Sequence, residues 1–187
     1  MLFTLHKTFG VAVLLLIVFL SDGCRNKNEN NKASEVDSML NVVYSLQDTI
    51  SSENVQILHG ISQVLNDDLS LVYDSAYEEV INSPVTTQYA SLFSDVESCV
   101  LACNGYHEEI FLLESDLLEL LDLIRNSSLP DDSLSGMIVY ESDLLKDMKT
   151  RIDTNLDKIA RNIGSFYKLK PRMDSLFKGS GIEIRNP

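Results

Sequence analysis

Apolar residues recur at alternating steps of three and four between Pro84 and Asn126, and this spacing restricts the fold more than any other feature of the chain. The seam that they form consists of Tyr89, Leu92, Val96, Cys99, Cys103, Tyr106, Ile110, Leu113, Leu117, Leu120 and Ile124. A heptad pattern sustained over five repeats requires a long helix that packs on other helices at a shallow angle. Pro84 suits the first turn of that helix, and residues 126–130 carry the signals that end it.

A later segment, from about Asp132 to Phe177, has the same periodicity. Its seam consists of Ile138, Leu145, Met148, Ile152, Ile159, Phe166, Leu169, Met173 and Leu176. Asn155 and Asn162 interrupt this seam, as buried polar residues do where they fix the register of packed helices. We expect Pro171 to kink or end the helix, because proline removes a backbone hydrogen bond and clashes with the preceding turn.

The first helical segment, Ser34 to Asn82, is less uniform. Its first stripe consists of Val36, Met39, Val43, Leu46 and Ile50, and its second of Ile57, Leu58, Ile61, Leu65, Val72 and Ala76. The stripe changes phase at Ser51–Asn54, which indicates either a kink or a break with a new N-cap. Because the connections near Pro84 and Pro130 are short, neighbouring helices must be antiparallel. The sequence therefore predicts an all-α fold. It is an elongated antiparallel three-helix bundle, or a four-helix bundle if the first helix breaks near Ser51–Asn54.

The composition agrees with a helical fold and excludes one class of partner. Apolar residues make up 44% of the chain and aromatic residues only 7%, and the formal net charge is −13. A surface this acidic repels phosphate backbones, so we expect no nucleic-acid binding. Charge is also sorted along the chain, because residues 64–145 hold seventeen acidic side chains and one cation, whereas residues 146–187 hold ten cations and five acids. Such a run is usually a solvated face; the alternative is that it holds the bundle away from an anionic surface.

The N-terminal residues have the organisation of a secretory signal. Residues 1–7 carry a positive charge at Lys7, and an uninterrupted apolar run follows from Val11 to Leu20. This run is too short to span a bilayer, which takes about 20 apolar residues, but it suits the core of a signal peptide. Ser21 and Gly23 place small residues at positions −3 and −1 from Cys24, as cleavage by a signal peptidase requires.

This leader resembles that of a bacterial lipoprotein, in which the cysteine after the cleavage site receives acyl chains such as palmitate. The lipobox would be Ser21-Asp22-Gly23-Cys24, a relaxed form of the kind familiar in spirochaetes. It departs from the usual pattern, because Leu20 lies one position early and Asp22 is an unusual member. The resemblance covers about 30 residues, and it implies lipidation at Cys24 and attachment to the bacterial outer membrane. Without acylation, the same site would release a soluble secreted protein.

The sequence predicts four consecutive regions. These are a signal peptide at residues 1–23, a flexible tether at 24–35, the helical bundle at 36–178 and a disordered tail at 179–187. The tether is polar and has no large apolar side chain before Val36.

Few residues in the body indicate a chemistry. Cys99 and Cys103 are four residues apart on one seam, a spacing too wide for a strain-free disulfide. We interpret them as packed thiols in the core, with a covalent dimer, a thiol-reactive role or metal binding as alternatives. His107-Glu108 begins like a zinc-protease helix, but Phe111 occupies the position of the second histidine. The segment from Asp131 to Gly136 begins like a calcium loop but has Ser142 at the twelfth position.

These patterns predict a protein that binds rather than catalyses. We expect no enzyme activity, no cofactor and no metal, because His59 has no partner placed by a motif and the acidic residues are too numerous to single out a catalytic pair. The expected partners are a membrane, through the N-terminal lipid, and another protein, either a host factor or an envelope component. The sequence allows a homo-oligomer, and it allows either the surface or the periplasmic face of the outer membrane. The alternative function is a periplasmic structural or assembly factor.

Overall fold

The structure, a computed structural model, describes residues 29–75, 77–126 and 129–182. Helices account for 93% of these residues, and the described part contains no strand. Helix α1 covers residues 29–50, α2 Glu53–Asp74, α3 Glu78–Ile81, α4 Pro84–Asn126 and α5 Asp131–Ser180. The prediction of an all-α helical bundle is confirmed, and it is the version in which the first helical segment is broken.

The break between α1 and α2 lies where the apolar stripe changes phase. Ser51 and Ser52 leave the helix, and α2 begins at Glu53 with Ser52 at its N-cap. The Ser52 side chain makes no capping hydrogen bond among the described residues, so backbone bonds from Val55 and Gln56 to the Ser52 carbonyl hold the first turn. The extended conformation of Ser52 therefore redirects the chain between two apolar stripes.

The two long helices begin and end as their terminal residues dictate. Pro84 occupies the first position of α4, and the Val85 amide donates to Ser83 Oγ at 3.2 Å. Helix α5 ends at Ser180, and the next residue, Gly181, has a φ of 72°, in the left-handed region that favours glycine. The Ile182 amide donates to the Phe177 carbonyl at 3.0 Å, which is the bond of a Schellman cap.

The described chain divides into two compact units, and α4 and α5 each contribute to both. Of the described residues, the first unit contains those in 29–43 and 113–145, and the second contains those in 44–112 and 146–182. In the first unit, three helical segments bury Val36, Met39, Leu40, Val43, Leu113, Leu117, Leu120, Leu121, Ile124, Leu134, Ile138 and Leu145. Each of these segments turns one apolar stripe inward, which is the packing that the seams predict.

The second unit packs α2 and α3 against the beginning of α4 and the end of α5. Its main cluster includes Leu58, Leu65, Val72, Tyr89, Val96, Ile159, Phe166, Met173 and Phe177. Arg151 binds Glu109, and Arg172 donates to Gln88, so residue numbers rise along one helix while they fall along the other. Helices α4 and α5 are therefore antiparallel in this unit.

The structure differs from the sequence expectations at three places. Residues 29–35 were expected in the tether but belong to α1, because Lys32 is buried and bonded to Asp131 rather than solvated. Pro171 does not end α5, because the helix continues to Ser180. The proline ring lies on an exposed side of the helix. Residues 179–182 were expected in a disordered tail but complete the helix and its cap, with Ile182 packed on the core. Residues 24–28 and 183–187 lie outside the described residues.

None of the described helices has a stretch that is both long and apolar enough to cross a bilayer.

Candidate functional site

The second unit contains a cluster of two buried thiols, one buried amide and one half-buried amide between α4 and α5. Cys99 and Cys103 are free thiols in the core, one helical turn apart on α4. On α5, Asn155 Nδ2 donates to the Cys99 carbonyl at 3.3 Å and to Cys103 Sγ at 3.4 Å. Asn162 Nδ2 donates to Cys99 Sγ at 3.5 Å. The two asparagines that interrupt the α5 seam therefore face the two cysteines of the α4 seam.

Burial controls the chemistry of both thiols. Loss of hydration raises the pKa of Cys99 above its ordinary value, and the nearby cation of Lys158 only partly opposes this. The pKa of Cys103 is raised for the same reason, and the neighbouring Cys99 raises it further. A shallow cleft of about 280 Å³ adjoins Cys99 and is lined also by Asp95, Ser98, Lys158, Arg161 and Asn162.

In this arrangement the cluster is a polar layer within the packing of α4 on α5. The thiolate is the reactive form of cysteine, and burial disfavours that form at both positions. Neutral thiols can accept the weak hydrogen bonds that Asn155 and Asn162 donate in the observed register of α4 against α5. The interpretation of Cys99 and Cys103 as packed core thiols agrees with this geometry.

A second polar cluster lies in the same unit. Tyr89 is fully buried, and its hydroxyl donates to Asp68 Oδ2 at 2.5 Å. Lys170 Nζ donates to the same Asp68 oxygen at 2.8 Å and to Asp174 Oδ1 at 2.7 Å. A buried carboxylate is therefore bonded to one phenol and one ammonium, which is the compensation that a buried charge requires.

The pKa shifts in this cluster follow from burial and from Asp68. Burial raises the pKa of Tyr89 far above its ordinary value, and the hydrogen bond to Asp68 raises it further. Burial alone would lower the pKa of Lys170, but the hydrogen bonds to Asp174 and Asp68 outweigh it, so this pKa is also raised. Both groups therefore keep their protons throughout the physiological pH range.

Sequence reasoning missed this cluster, although one signal for it was present. Asp68 lies three residues after Leu65 and four before Val72, so it occupies a position of the α2 apolar stripe itself. A carboxylate at such a position needs a buried partner, and Tyr89 was available on the α4 seam.

The histidines and the remaining motif residues do not assemble into a site. His59, His107 and Glu108 are all exposed, and none of them lines the cleft beside Cys99. In the part of the chain that the structure describes, no three His, Cys, Asp or Glu side chains are grouped as metal ligands. The predicted lipidation site, Cys24, lies outside the described residues.

The first unit carries a mixed apolar and acidic surface on α4 and α5. Met137, Tyr140 and Leu144 are exposed and follow one another at helical spacing on α5. Beside them, Glu141 is half-buried, and its Oε2 is the single buried side-chain oxygen or nitrogen in the described residues that has no hydrogen-bond partner. Burial raises the pKa of Glu141, and the nearby carboxylate of Asp116 on α4 raises it further.

Comparisons of the chain with protein-family models, with curated proteins and with solved structures give no match.

Proposed function

We propose that the protein is a bacterial envelope lipoprotein whose helical bundle binds another protein without catalysing a reaction. Acyl chains on Cys24 would hold it in the outer membrane after removal of residues 1–23, and the residues that follow would give the bundle reach. The support for the anchor is the leader, with its short apolar run and its cysteine directly after small residues.

The observation that carries the binding function is the exposure of large apolar side chains on the two long helices. Of fourteen such exposed residues in the described chain, nine lie on α4 and α5. Phe111 is 67% exposed and its neighbour Leu112 is 62% exposed in the second unit. Exposed apolar side chains that lie together on a helix face are typical of surfaces that bind other proteins. The competing function is a periplasmic structural or assembly factor, and a secreted soluble protein is the alternative if Cys24 is not acylated.

The intact mass of the mature chain tests the anchor. We expect a chain that begins at Cys24 and carries two or three acyl groups, and we expect Cys24→Ser to abolish acylation while Cys99→Ser leaves it unchanged. A free thiol on residue 24, or a chain that still begins at Met1, would refute the anchor.

Protease treatment of intact cells separates display on the cell surface from a periplasmic location, because only a surface protein is digested.

Site-specific photo-crosslinking in intact cells tests the binding function. A benzoylphenylalanine is placed at Phe111 or at Tyr140, and a matched control is placed at Asp153, an exposed polar position of α5. We expect discrete adducts from at least one of the two apolar positions and none from the control. Equal adducts from all three positions, or none from any, would contradict the function.

A further inference from the structure

We infer that the α4–α5 face of the first unit binds a basic amphipathic helix of a partner protein. This face consists of Asp116, Glu119 and Leu123 on α4 and of Met137, Tyr140 and Leu144 on α5. The inference rests on the proposed binding function and adds to it the position of the surface and the chemistry of the partner.

The first argument is the spacing of the two sets of residues. On each helix they follow the pattern i, i+3 and i+7, which places them along one side of that helix. Both helices turn buried side chains into the same unit, Leu117 on α4 and Ile138 on α5, and the electrostatic effect of Asp116 on Glu141 agrees with these two sides lying next to each other. The α5 side is apolar and exposed, whereas the α4 side presents two exposed carboxylates and the half-buried Leu123.

The second argument is charge complementarity. The described part of the first unit has eleven acidic side chains and only two cations, Lys32 and Arg125. One of these cations, Lys32, is already bonded to Asp131. An apolar stripe in such surroundings attracts a cationic partner and repels an acidic one.

The third argument is the state of Glu141, which lies four residues after Met137 at the edge of the apolar stripe. Its Oε2 is buried without a hydrogen-bond partner among the described residues, and the nearby carboxylate of Asp116 acts on the Glu141 carboxyl group. A lysine or arginine placed over this edge would compensate both carboxylates at once.

The partner should be helical because of the form of the stripe. Met137, Tyr140 and Leu144 extend over two turns, or about 10 Å along α5. A helix laid beside them presents its own apolar residues at the same spacing and its cations on either side, which is a common mode of peptide recognition.

A synthetic peptide tests this inference with the full mature chain carrying Cys24→Ser. The probe is a fluorescent peptide of about 18 residues with leucines at i, i+3 and i+7 and lysines beside them. Its two controls are a twin in which each lysine is glutamate and a scrambled twin of the same composition. We expect micromolar binding of the basic helix by fluorescence anisotropy and at least about tenfold weaker binding of both controls.

Matched variants locate the binding. Tyr140 is 62% exposed and Val139 is 60% exposed, but they lie on different sides of α5, so each can be changed to serine without disturbing the core. We expect Tyr140→Ser to weaken binding about tenfold and Val139→Ser to leave it unchanged. Glu119→Gln should weaken binding and increase its tolerance of salt, whereas Glu35→Gln, at an exposed acid of α1 in the same unit, should do neither.

Three outcomes would overturn the inference. The first is an equal loss of peptide affinity in Tyr140→Ser and Val139→Ser, and the second is equal binding of the basic and acidic peptides. The third is a self-association of the protein that Tyr140→Ser abolishes, because a second copy would then be the occupant of the face. Adducts from position 111 but not from position 140 in the crosslinking experiment would leave the binding function intact while this inference fails.

Discussion

Removal of the Tyr89 hydroxyl by Tyr89→Phe is the most direct perturbation of the buried cluster in the second unit. The hydroxyl donates to Asp68 at 2.5 Å in a fully buried environment, so its loss removes one charge-assisted hydrogen bond. Such a bond contributes about 2 kcal/mol, and Asp68 keeps its second partner, Lys170, at 2.8 Å. We therefore expect the free energy of unfolding to fall by about 2 kcal/mol at neutral pH.

The same substitution should change the pH dependence of stability in alkaline solution. The pKa of Tyr89 is raised in the folded state, so the folded protein keeps this proton above pH 10 while the unfolded chain loses it. The stabilisation is complete below the unfolded pKa and declines as the pH rises above it, by about 1.4 kcal/mol per pH unit. Phenylalanine does not titrate, so the difference between the variant and the wild type should shrink by about 1.4 kcal/mol for each unit above pH 10.

Urea unfolding followed by far-UV circular dichroism at several pH values measures both effects. Tyr73→Phe is the matched control, because Tyr73 lies on α2 and is exposed. We expect the control to match the wild type throughout the pH range. The reasoning is refuted if Tyr89→Phe has wild-type stability at neutral pH, or if its stability declines above pH 10 as steeply as that of the wild type.

Three further predictions concern the other features of the body. Asn155→Ala should lower the free energy of unfolding by about 1–2 kcal/mol in urea titrations, because two buried hydrogen bonds and side-chain volume are lost, whereas Asn104→Ala on an exposed face should have no effect. In the Cys24→Ser chain, Cys99 and Cys103 should react with an aromatic disulfide reagent at least about tenfold more slowly when folded than in urea, because burial raises the pKa of both thiols; equal rates would contradict their packing. Gly181→Ala should destabilise by about 1 kcal/mol because φ is positive there, whereas Gly179→Ala, inside the helix, should be neutral or stabilising; a thermal melt that ranks the two in the opposite order would disprove the cap.

Local periodicity was sufficient to predict the helices and most of their buried faces. Ten of the eleven seam residues predicted on α4 are buried, and the exception, Tyr106, is half-buried with the Arg151 guanidinium 5.8 Å above its ring. The phase change at Ser51–Asn54 also marked the break between α1 and α2. These features depend on residues within a few turns of one another, so the sequence order contains them.

The features that escaped prediction depend on partners far away in sequence. Asp68 and Lys170 are 102 residues apart, and Lys32 and Asp131 are 99 residues apart. Sequence alone predicts that a polar residue is solvated, because the distant side chain that pairs with it is not known. For this reason the sequence predicts a solvated tether at residues 29–35. The end of α5 was different, because the apolar residue after Gly181 was a local signal of a Schellman cap that the sequence interpretation did not use.

The bond between Lys32 and Asp131 has a mechanical consequence. Lys32 Nζ donates to both the carbonyl and the carboxylate of Asp131, at 2.8 Å and 2.5 Å. A force applied to the chain before residue 29 therefore loads the bond between Lys32 and Asp131, in the first turn of α5. It does so before it loads the first buried apolar residue of α1, Val36. In a single-molecule stretching experiment from the N-terminal side, Lys32→Met should lower the force at which α1 first detaches, while the force needed to unfold the second unit stays the same.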